Sequence, residues 1–305
     1  MYVRPEELPV RFEPTVVTQQ APDPETKELV RNKQGGRVAR RLGHIACALM
    51  SGIFLSGDAH LPDEILLQHN DKPPIEAHDI TIMTANVRSW DGPKGDNFDQ
   101  VLTVLENEDV DIACMQEVTH ESDNLSRLYQ AGYDVYFAKT VHWPWRAPFG
   151  NALVSRAPLD AAESVSLPNP KTIPPRNAIL GEIATSHGSL SVTNTHLSTN
   201  LDESTLQTRN LFSMVEDSVD LYCGDFNQSA DMVVAGPLGG MSNPMFFSAN
   251  INTFPATPGR TPDREIDFIF SPCGDPASGS ERTADIQSDH LARIVRIDFT
   301  ECFDS

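Results

Sequence analysis

The chain has 305 residues, of which 39% are hydrophobic and 22% charged, so it can bury a sizeable core and is not disordered throughout. Its apolar runs fall short of the 18 residues expected of a membrane-spanning helix, and its five cysteines are too few for a disulfide scaffold. Of the net charge of −20, residues 79–305 carry −18, with 14 basic and 32 acidic side chains. Such a field repels polyanions and favours a small or lipid-borne substrate, or a bridging metal ion.

The N-terminal quarter differs in composition from the rest of the chain. Residues 1–35 are rich in Pro, Glu and Gln without an apolar period, which predicts a disordered segment. Within 37–59, arginines precede an apolar run and a small-x-small step follows, the order typical of a secretory signal. Because this order begins late, two alternatives stay open: an exported protein, or a cytoplasmic one with a short amphipathic helix here. The remainder of 36–78 is predicted to be a linker.

From residue 79 onward, strand-like runs outnumber helical ones. The predicted strands are 80–87, 111–118, 133–140, 151–156, 164–167, 179–184, 190–195, 219–223, 266–270 and 292–299. Helices are predicted at 98–107, at 121–132 and after residue 203, where apolar residues recur at helical spacing. About ten strands with few helices predict two packed sheets with helices outside them, rather than a regular series of parallel strands and crossover helices.

Polar, metal-competent side chains recur at the ends of these apolar strands. They are Asn86, Glu117, His196, Asp225, Asn227, Asp289 and His290. One such residue is usually a turn former, but chance does not explain the whole set in this order. Asp267 lies inside the apolar run REIDFIF, where an unpaired carboxylate would cost several kcal/mol, so it requires a partner, most naturally a histidine.

The fragments that carry these residues resemble the endonuclease/exonuclease/phosphatase superfamily of metal-dependent phosphoesterases, which includes deoxyribonuclease I. The fragments are TANVRSW, MQEV, GNALVSR, NTHLS, CGDFNQS, REIDFIF and SDHLARIV. The resemblance covers about 79–300 and implies an α/β fold: a four-layer α/β/β/α sandwich of two packed, mainly antiparallel sheets. We therefore expect one such domain over 79–305, acting as a monomer.

The resemblance also implies a hard divalent ion, Mg²⁺ with Mn²⁺ or Ca²⁺ as alternatives. Glu117 is the expected principal ligand, and Asn86 and Asp289 contribute to the same region. Mg²⁺ prefers oxygen ligands and keeps several waters, so few carboxylates suffice. Arg88 and Asn151 are candidate substrate contacts, although Arg88 read alone fits a surface arginine as well.

The remaining site residues receive catalytic roles from the same resemblance. Asp225 and Asn227 would position the attacking water and the phosphoryl oxygens. His290, oriented by Asp267, would accept a proton from that water or stabilise the developing charge. His196 would face the leaving group as a general acid or as a hydrogen-bond donor.

Several points stay open at this stage. The expected substrate is a phosphodiester or phosphomonoester on a small molecule or lipid; the alternatives are a secreted endonuclease acting on DNA and a non-catalytic binding module. Aromatic residues concentrated in 133–151 either rim the cleft or pack in the core. Cys114 and Cys223 are expected to be reduced core thiols. Cys273 and Cys302 can pair if the protein is exported.

Overall fold

The computed structural model describes residues 64–92, 95–120, 123–142, 146–168, 173–215, 219–235, 245–246 and 251–303. The disordered segment predicted for 1–35 and the signal-like segment at 37–59 lie outside the described residues. None of the helices in the described ranges is long and apolar enough to cross a membrane.

The described chain alternates short helices with many strands. The strands are β1 Glu64–Leu67, β2 Ile80–Asn86, β3 Asp91–Gly92, β4 Gly95–Asp96, β5 Ile112–Thr119, β6 Asp134–Val141, β7 Phe149–Ser155, β8 Leu159–Ser166, β9 Asn177–Thr185, β10 Gly188–His196, β11 Leu221–Asp225, β12 Met245–Phe246, β13 Asp267–Ser271, β14 Asp275–Pro276, β15 Arg282–Asp285 and β16 Leu291–Asp298. The helices are α1 Phe98–Asn107, α2 Asn124–Gln130, α3 Leu201–Val215, α4 Ala230–Ala235 and α5 Thr300–Phe303, with a 3-10 turn at Arg88–Trp90.

The strands form two main sheets. The first has eight strands in the order β1-β6-β7-β5-β2-β16-β14, with β15 also paired to β16, and the second has the order β12-β13-β11-β10-β9-β8. Two neighbouring pairs are parallel, β2 with β5 and β10 with β11, and the other pairs of these two sheets are antiparallel. The expected pair of mainly antiparallel sheets is therefore confirmed.

The apolar pattern of the strands explains the layers. On β2, Ile80 and Ile82 belong to the core that lies between the sheets, whereas Met83 and Ala85 face a second core shared with α1 and α2. A strand buried on both faces reads as a continuous apolar run, as ITIMTAN does. Helix α3 packs on the other side of the second sheet, where Phe212 lies 4.9 Å from the Tyr222 ring. The result is the four-layer α/β/β/α sandwich expected from the resemblance.

The segment before β2 belongs to the fold. Strand β1 pairs antiparallel with β6, and the buried Asp134 of β6 accepts hydrogen bonds from the His69 amide at 3.0 Å and from Lys72 Nζ at 3.1 Å. Burial alone would raise the pKa of Asp134, but the hydrogen bonds from His69 and the charge of Lys72 outweigh it and lower that pKa below 3.8. Residues 64–78, expected from the sequence to be a linker before a domain that starts at 79, therefore pack on that domain; His69 and Lys72, which anchor them, show no apolar period in the sequence.

The four cysteines within the described residues are paired. Cys114 of β5 is bonded to Cys223 of β11 and so joins the two sheets, and Cys273 is bonded to Cys302. The expectation that Cys114 and Cys223 are reduced is wrong, because the facing sheets bring their Cα atoms within 6.2 Å, a separation that a disulfide spans. The distance between two sheets is set by packing and is not readable from sequence spacing.

Candidate active site

Three site residues lie side by side on the second sheet. The parallel strands β10 and β11 place His196 opposite Asp225, and the antiparallel β13 places Asp267 opposite Asp225 on the other side. The close approach depends on Gly224, because a Cβ there would overlap the carbonyl oxygen of Thr195. The glycine before Asp225 at the end of β11 is therefore required by this packing.

The first sheet brings its own residues to the same edge. Strands β2 and β5 are parallel and carry Asn86 and Glu117 near their carboxyl ends, and β16 runs antiparallel to β2 directly after His290. Ser288 Oγ donates to the Asn86 carbonyl oxygen at 2.7 Å, which fixes the turn that presents Asp289 and His290. The strand topology thus explains why residues far apart in the chain converge.

Asn86 connects the two halves of the site. Its Nδ2 donates to Glu117 Oε1 at 3.3 Å and to Asp225 Oδ2 at 3.1 Å, while its Oδ1 accepts from the Arg88 amide at 3.1 Å. In this arrangement the Asn86 amide nitrogen orients two carboxylates. The metal-ligand role expected of Asn86 would fall to Oδ1, which has a second lone pair, and it stays a prediction.

His290 and Asp267 form a buried pair. His290 Nδ1 lies 2.9 Å from Asp267 Oδ2, which also accepts from Thr253 Oγ1 at 2.6 Å. Burial alone would lower the pKa of His290, but the charges of Asp267 and Asp225 outweigh it and raise that pKa to about 10. The Phe254 ring packs against the imidazole with its centroid 4.6 Å away. The second ring nitrogen, Nε2, lies 3.8 Å from Asp225 Oδ2.

Asp225 lies at the centre of the cluster. Its Oδ1 accepts from the Asn227 amide at 3.0 Å, and its Oδ2 lies 3.5 Å from His196 Nε2. Burial and the nearby Asp267 charge raise the pKa of Asp225 to about 7. The Asn227 side chain donates to the Leu197 carbonyl oxygen at 3.0 Å, so it braces the turn after His196.

Arg176 is a site residue that the sequence reasoning missed. It is 7% exposed, and its Nη1 lies 3.0 Å from His196 Nδ1. A guanidinium can only donate, so Nδ1 of His196 accepts and its proton resides on Nε2, towards Asp225. Burial, followed by the Arg176 charge, holds the pKa of His196 well below its usual value. The available signal was an arginine placed directly before the apolar run of β9.

Glu117 lies at a bulge where β5 loses register with β7 between Met115 and Val118. Its φ of +55° belongs to the left-handed region, which costs a residue with a side chain about 1 kcal/mol or more. Burial raises the pKa of the Glu117 carboxyl, and the negative charge of Asp289 acts in the same direction. A bound cation would relieve both effects, so the donor set of Glu117 and Asp289 oxygens fits a hard divalent ion.

Two predicted substrate contacts and a second possible metal cluster lie in the same part of the structure. Arg88 Nε lies 3.7 Å from Asp289 Oδ2, so the predicted substrate contact stands beside a predicted ligand. Asn151 is buried, and its Nδ2 donates to Asn177 Oδ1 of the second sheet at 2.8 Å; its substrate contact stays a prediction. One atom each of Asp225, Asp267 and His290 also lie within 4.8 Å of one another. His290 Nδ1 and Asp267 Oδ2 are already bonded to each other, which disfavours a cation in this second cluster relative to Glu117.

The comparisons with known proteins agree with this geometry. The model of the endonuclease/exonuclease/phosphatase family matches residues 83–290. An endonuclease/exonuclease/phosphatase from Beutenbergia cavernae is 22% identical, with a TM-score of 0.61 over 73% of this chain and 72% of that one. The human nocturnin catalytic domain with bound sulfate is 19% identical, with a TM-score of 0.57 over 75% and 97%. A mannosyl-6-phosphatase from Bacteroides thetaiotaomicron is 16% identical, with a TM-score of 0.56 over 72% and 99%.

At these identities the solved structures support the fold alone. No curated protein matches the chain. The family match, however, covers more than half of the sequence and includes Asn86, Glu117, His196, Asp225, Asp267 and His290. The chain belongs to the endonuclease/exonuclease/phosphatase family.

Proposed function

We propose that the protein is a divalent-metal-dependent phosphoester hydrolase whose substrate is a phosphodiester or phosphomonoester on a small molecule or lipid. One observation carries the proposal: the Asn86 amide joins Glu117 of the first sheet to Asp225 of the second. A carboxylate suited to a cation is thereby fixed beside the paired Asp267 and His290. A phosphate bound across this junction would meet both sets of groups.

The first group of residues would hold the metal. Glu117 and Asp289 offer carboxylate oxygens of the kind that Mg²⁺ prefers, with Mn²⁺ and Ca²⁺ as alternatives. The bound ion supplies charge neutralisation for the phosphoryl oxygens and polarises the P–O bond. Asn86 keeps Glu117 and Asp225 apart at fixed distance by donating to both.

The second group would activate the attacking water. His290 lies between two carboxylates, 2.9 Å from Asp267 and 3.8 Å from Asp225, an arrangement that supports a positive imidazolium. A protonated His290 donates from Nε2 to charge that develops on the phosphoryl group. The proton of the attacking water then passes to Asp225, whose Oδ2 is within reach of both histidines.

The third group would act on the phosphoryl and leaving-group oxygens. His196 directs its Nε2–H into the site because Arg176 donates to Nδ1. This tautomer supports a role for His196 as a hydrogen-bond donor to the leaving oxygen. Arg176 is a buried cation beside His196, and its charge would stabilise an anionic substrate bound at this junction.

Charge and cysteine pairing support the proposed substrate class and compartment. The net charge of −18 over residues 79–305 disfavours binding of a long polyanion, so we favour small-molecule and lipid phosphoesters over nucleic acid as substrates. Two disulfides are typical of an oxidising compartment, which supports export through the 37–59 segment. Mass spectrometry of the N-terminus from the native host tests this, since export predicts a mature start near residue 60.

The decisive experiment is hydrolysis of a bis-aryl phosphate. We expect Mg²⁺-dependent activity that EDTA abolishes and that Asp225→Ala or His290→Ala lowers at least about a hundredfold. Wild-type protein that is inert with every divalent metal and on a panel of phospholipids, inositol phosphates and nucleotides would refute the proposal in favour of a binding module. Nicking of plasmid DNA that disappears steeply with salt would instead indicate a nuclease.

A further inference from the structure

The bulge in β5 determines where Glu117 points. Met115 pairs with Ala152 and Val118 pairs with Gly150, so Gln116 and Glu117 together oppose a single residue of β7. A bulge of this kind redirects a side chain and leaves ladder hydrogen bonds unmade. The left-handed φ of Glu117 adds local strain. Such a backbone persists only if neighbouring groups hold it in place.

Asn194 contacts this bulge from the opposite sheet. It lies on β10, is fully buried, and donates from Nδ2 to the Met115 carbonyl oxygen at 3.1 Å and to the Ala152 carbonyl oxygen at 2.8 Å. These two carbonyls belong to the last regular pair before the bulge. Asn194 Oδ1 accepts from Gln116 Nε2 at 2.8 Å. A single amide therefore contacts both strands and one of the two bulged residues.

The position of Asn194 in the sheet connects the β5 bulge to the strands that carry His196 and Asp225. Asn194 is two residues before His196 on the same strand, and its register partner on β11 is Cys223, two residues before Asp225. The amide thus ties the backbone that presents Glu117 to the strands that present His196 and Asp225. General inter-sheet packing needs no donor aimed at two carbonyls beside the bulge.

We propose that Asn194 is a positioning residue that holds the β5 bulge and thereby sets the direction of Glu117 towards a bound divalent cation. The metal part of this inference rests on the function proposed above, whereas the bulge part does not. Asn194→Ala removes all three hydrogen bonds. Asn194→Asp keeps the shape but directs a carboxylate oxygen at two carbonyl oxygens. Groups that orient metal ligands typically change metal affinity or activity by 10- to 100-fold.

The first measurement is a titration of metal-free protein with Mn²⁺. Electron paramagnetic resonance reports the concentration of the free ion and so gives the binding affinity. We expect Asn194→Ala to weaken binding about 10- to 100-fold, with Asn194→Asp at least as weak. Asp134→Asn is the matched control: it also alters a buried polar residue, but on β6, two strands away from β5, so it lowers stability and leaves Mn²⁺ affinity unchanged. Asn194 variants that fold and bind Mn²⁺ within twofold of wild type would overturn the proposal.

The second measurement needs no metal. Amide hydrogen exchange over 112–119 in metal-free protein should be at least tenfold faster in Asn194→Ala than in Asp134→Asn, whose lower stability accelerates exchange across the core without acting on the bulge. Unaltered exchange over 112–119 would overturn the positioning role. Wild-type protein that binds no Mn²⁺ would refute the proposed function but leave the exchange result to decide the role of Asn194. If Asn194→Asp does not fold, Asn194→Ala alone decides both measurements.

Discussion

Replacing Arg176 with methionine separates activity from stability. The guanidinium is buried against His196, and its Nε has no partner among the described residues. A charge-assisted hydrogen bond to a phosphoryl oxygen is worth about 1.5–3 kcal/mol, so Arg176→Met should lower kcat/KM about 10- to 150-fold. Burial lowers the pKa of Arg176 despite the nearby Asp225 and Glu117 charges, so the cation is held at a cost. The unfolding free energy should therefore change little in Arg176→Met, because relief of this cost offsets the lost hydrogen bond to His196 Nδ1.

The two effects require two assays. Initial rates on a bis-aryl phosphate at saturating Mg²⁺ give kcat/KM, and urea denaturation of the metal-free protein gives the unfolding free energy. Arg176→Lys, which keeps the charge but loses the planar fork, should retain part of the activity. Arg209→Met removes an exposed cation from α3 and should leave both quantities unchanged. An Arg176→Met protein with kcat/KM within threefold of wild type, or with clearly reduced stability, would refute this reasoning.

Three other changes have defined outcomes. Asp267→Asn should lower kcat about 10²- to 10⁴-fold with little change in KM, because His290 loses the carboxylate that fixes its tautomer and charge. Steady-state kinetics measure both quantities, and a kcat within fivefold of wild type would contradict this prediction. Asp134→Asn should lower the unfolding free energy by about 2 kcal/mol. Since the pKa of Asp134 is lowered in the folded state, this difference should hold above about pH 5 and vanish as the pH falls below 3.8, as urea titrations across that range can test. Replacing Cys273 and Cys302 by alanine opens a loop with a sequence separation of 29 and should cost about 3.5 kcal/mol, whereas an unchanged melting temperature would argue against the bond.

The sequence predicted well the elements whose apolar pattern is either continuous, as in β2, or strictly periodic, as in α1. Strand β2 was expected at 80–87 and occurs at Ile80–Asn86, and α1 was expected at 98–107 and occurs at Phe98–Asn107. Burial on both faces leaves little ambiguity in such strands. The strand predicted at 164–167 was too short, since the structure has it at Leu159–Ser166. Its residues are small, polar and half exposed, so the pattern alone was too weak to show where it begins.

The site was predictable to the extent that strand ends mark it. Asp267 was conspicuous because a carboxylate within an apolar strand requires a partner, and the structure supplies His290. Arg176 escaped notice because an arginine before a strand reads as a surface residue until the second sheet covers it. The role of Asn194 depends on a contact between two sheets, and the amide orientation of Asn86 depends on which carboxylates face it. None of these follows from periodicity along a single strand.

The pairing of β1 with β6 has a consequence for anyone who shortens this protein. A chain trimmed to begin at residue 79 would lose β1 and leave one side of β6 open, with a row of backbone groups ready to hydrogen-bond to another molecule. Such a fragment would keep the whole catalytic cluster and yet tend to self-associate. Residues 64–67 therefore protect solubility, although they contribute no group to the chemistry.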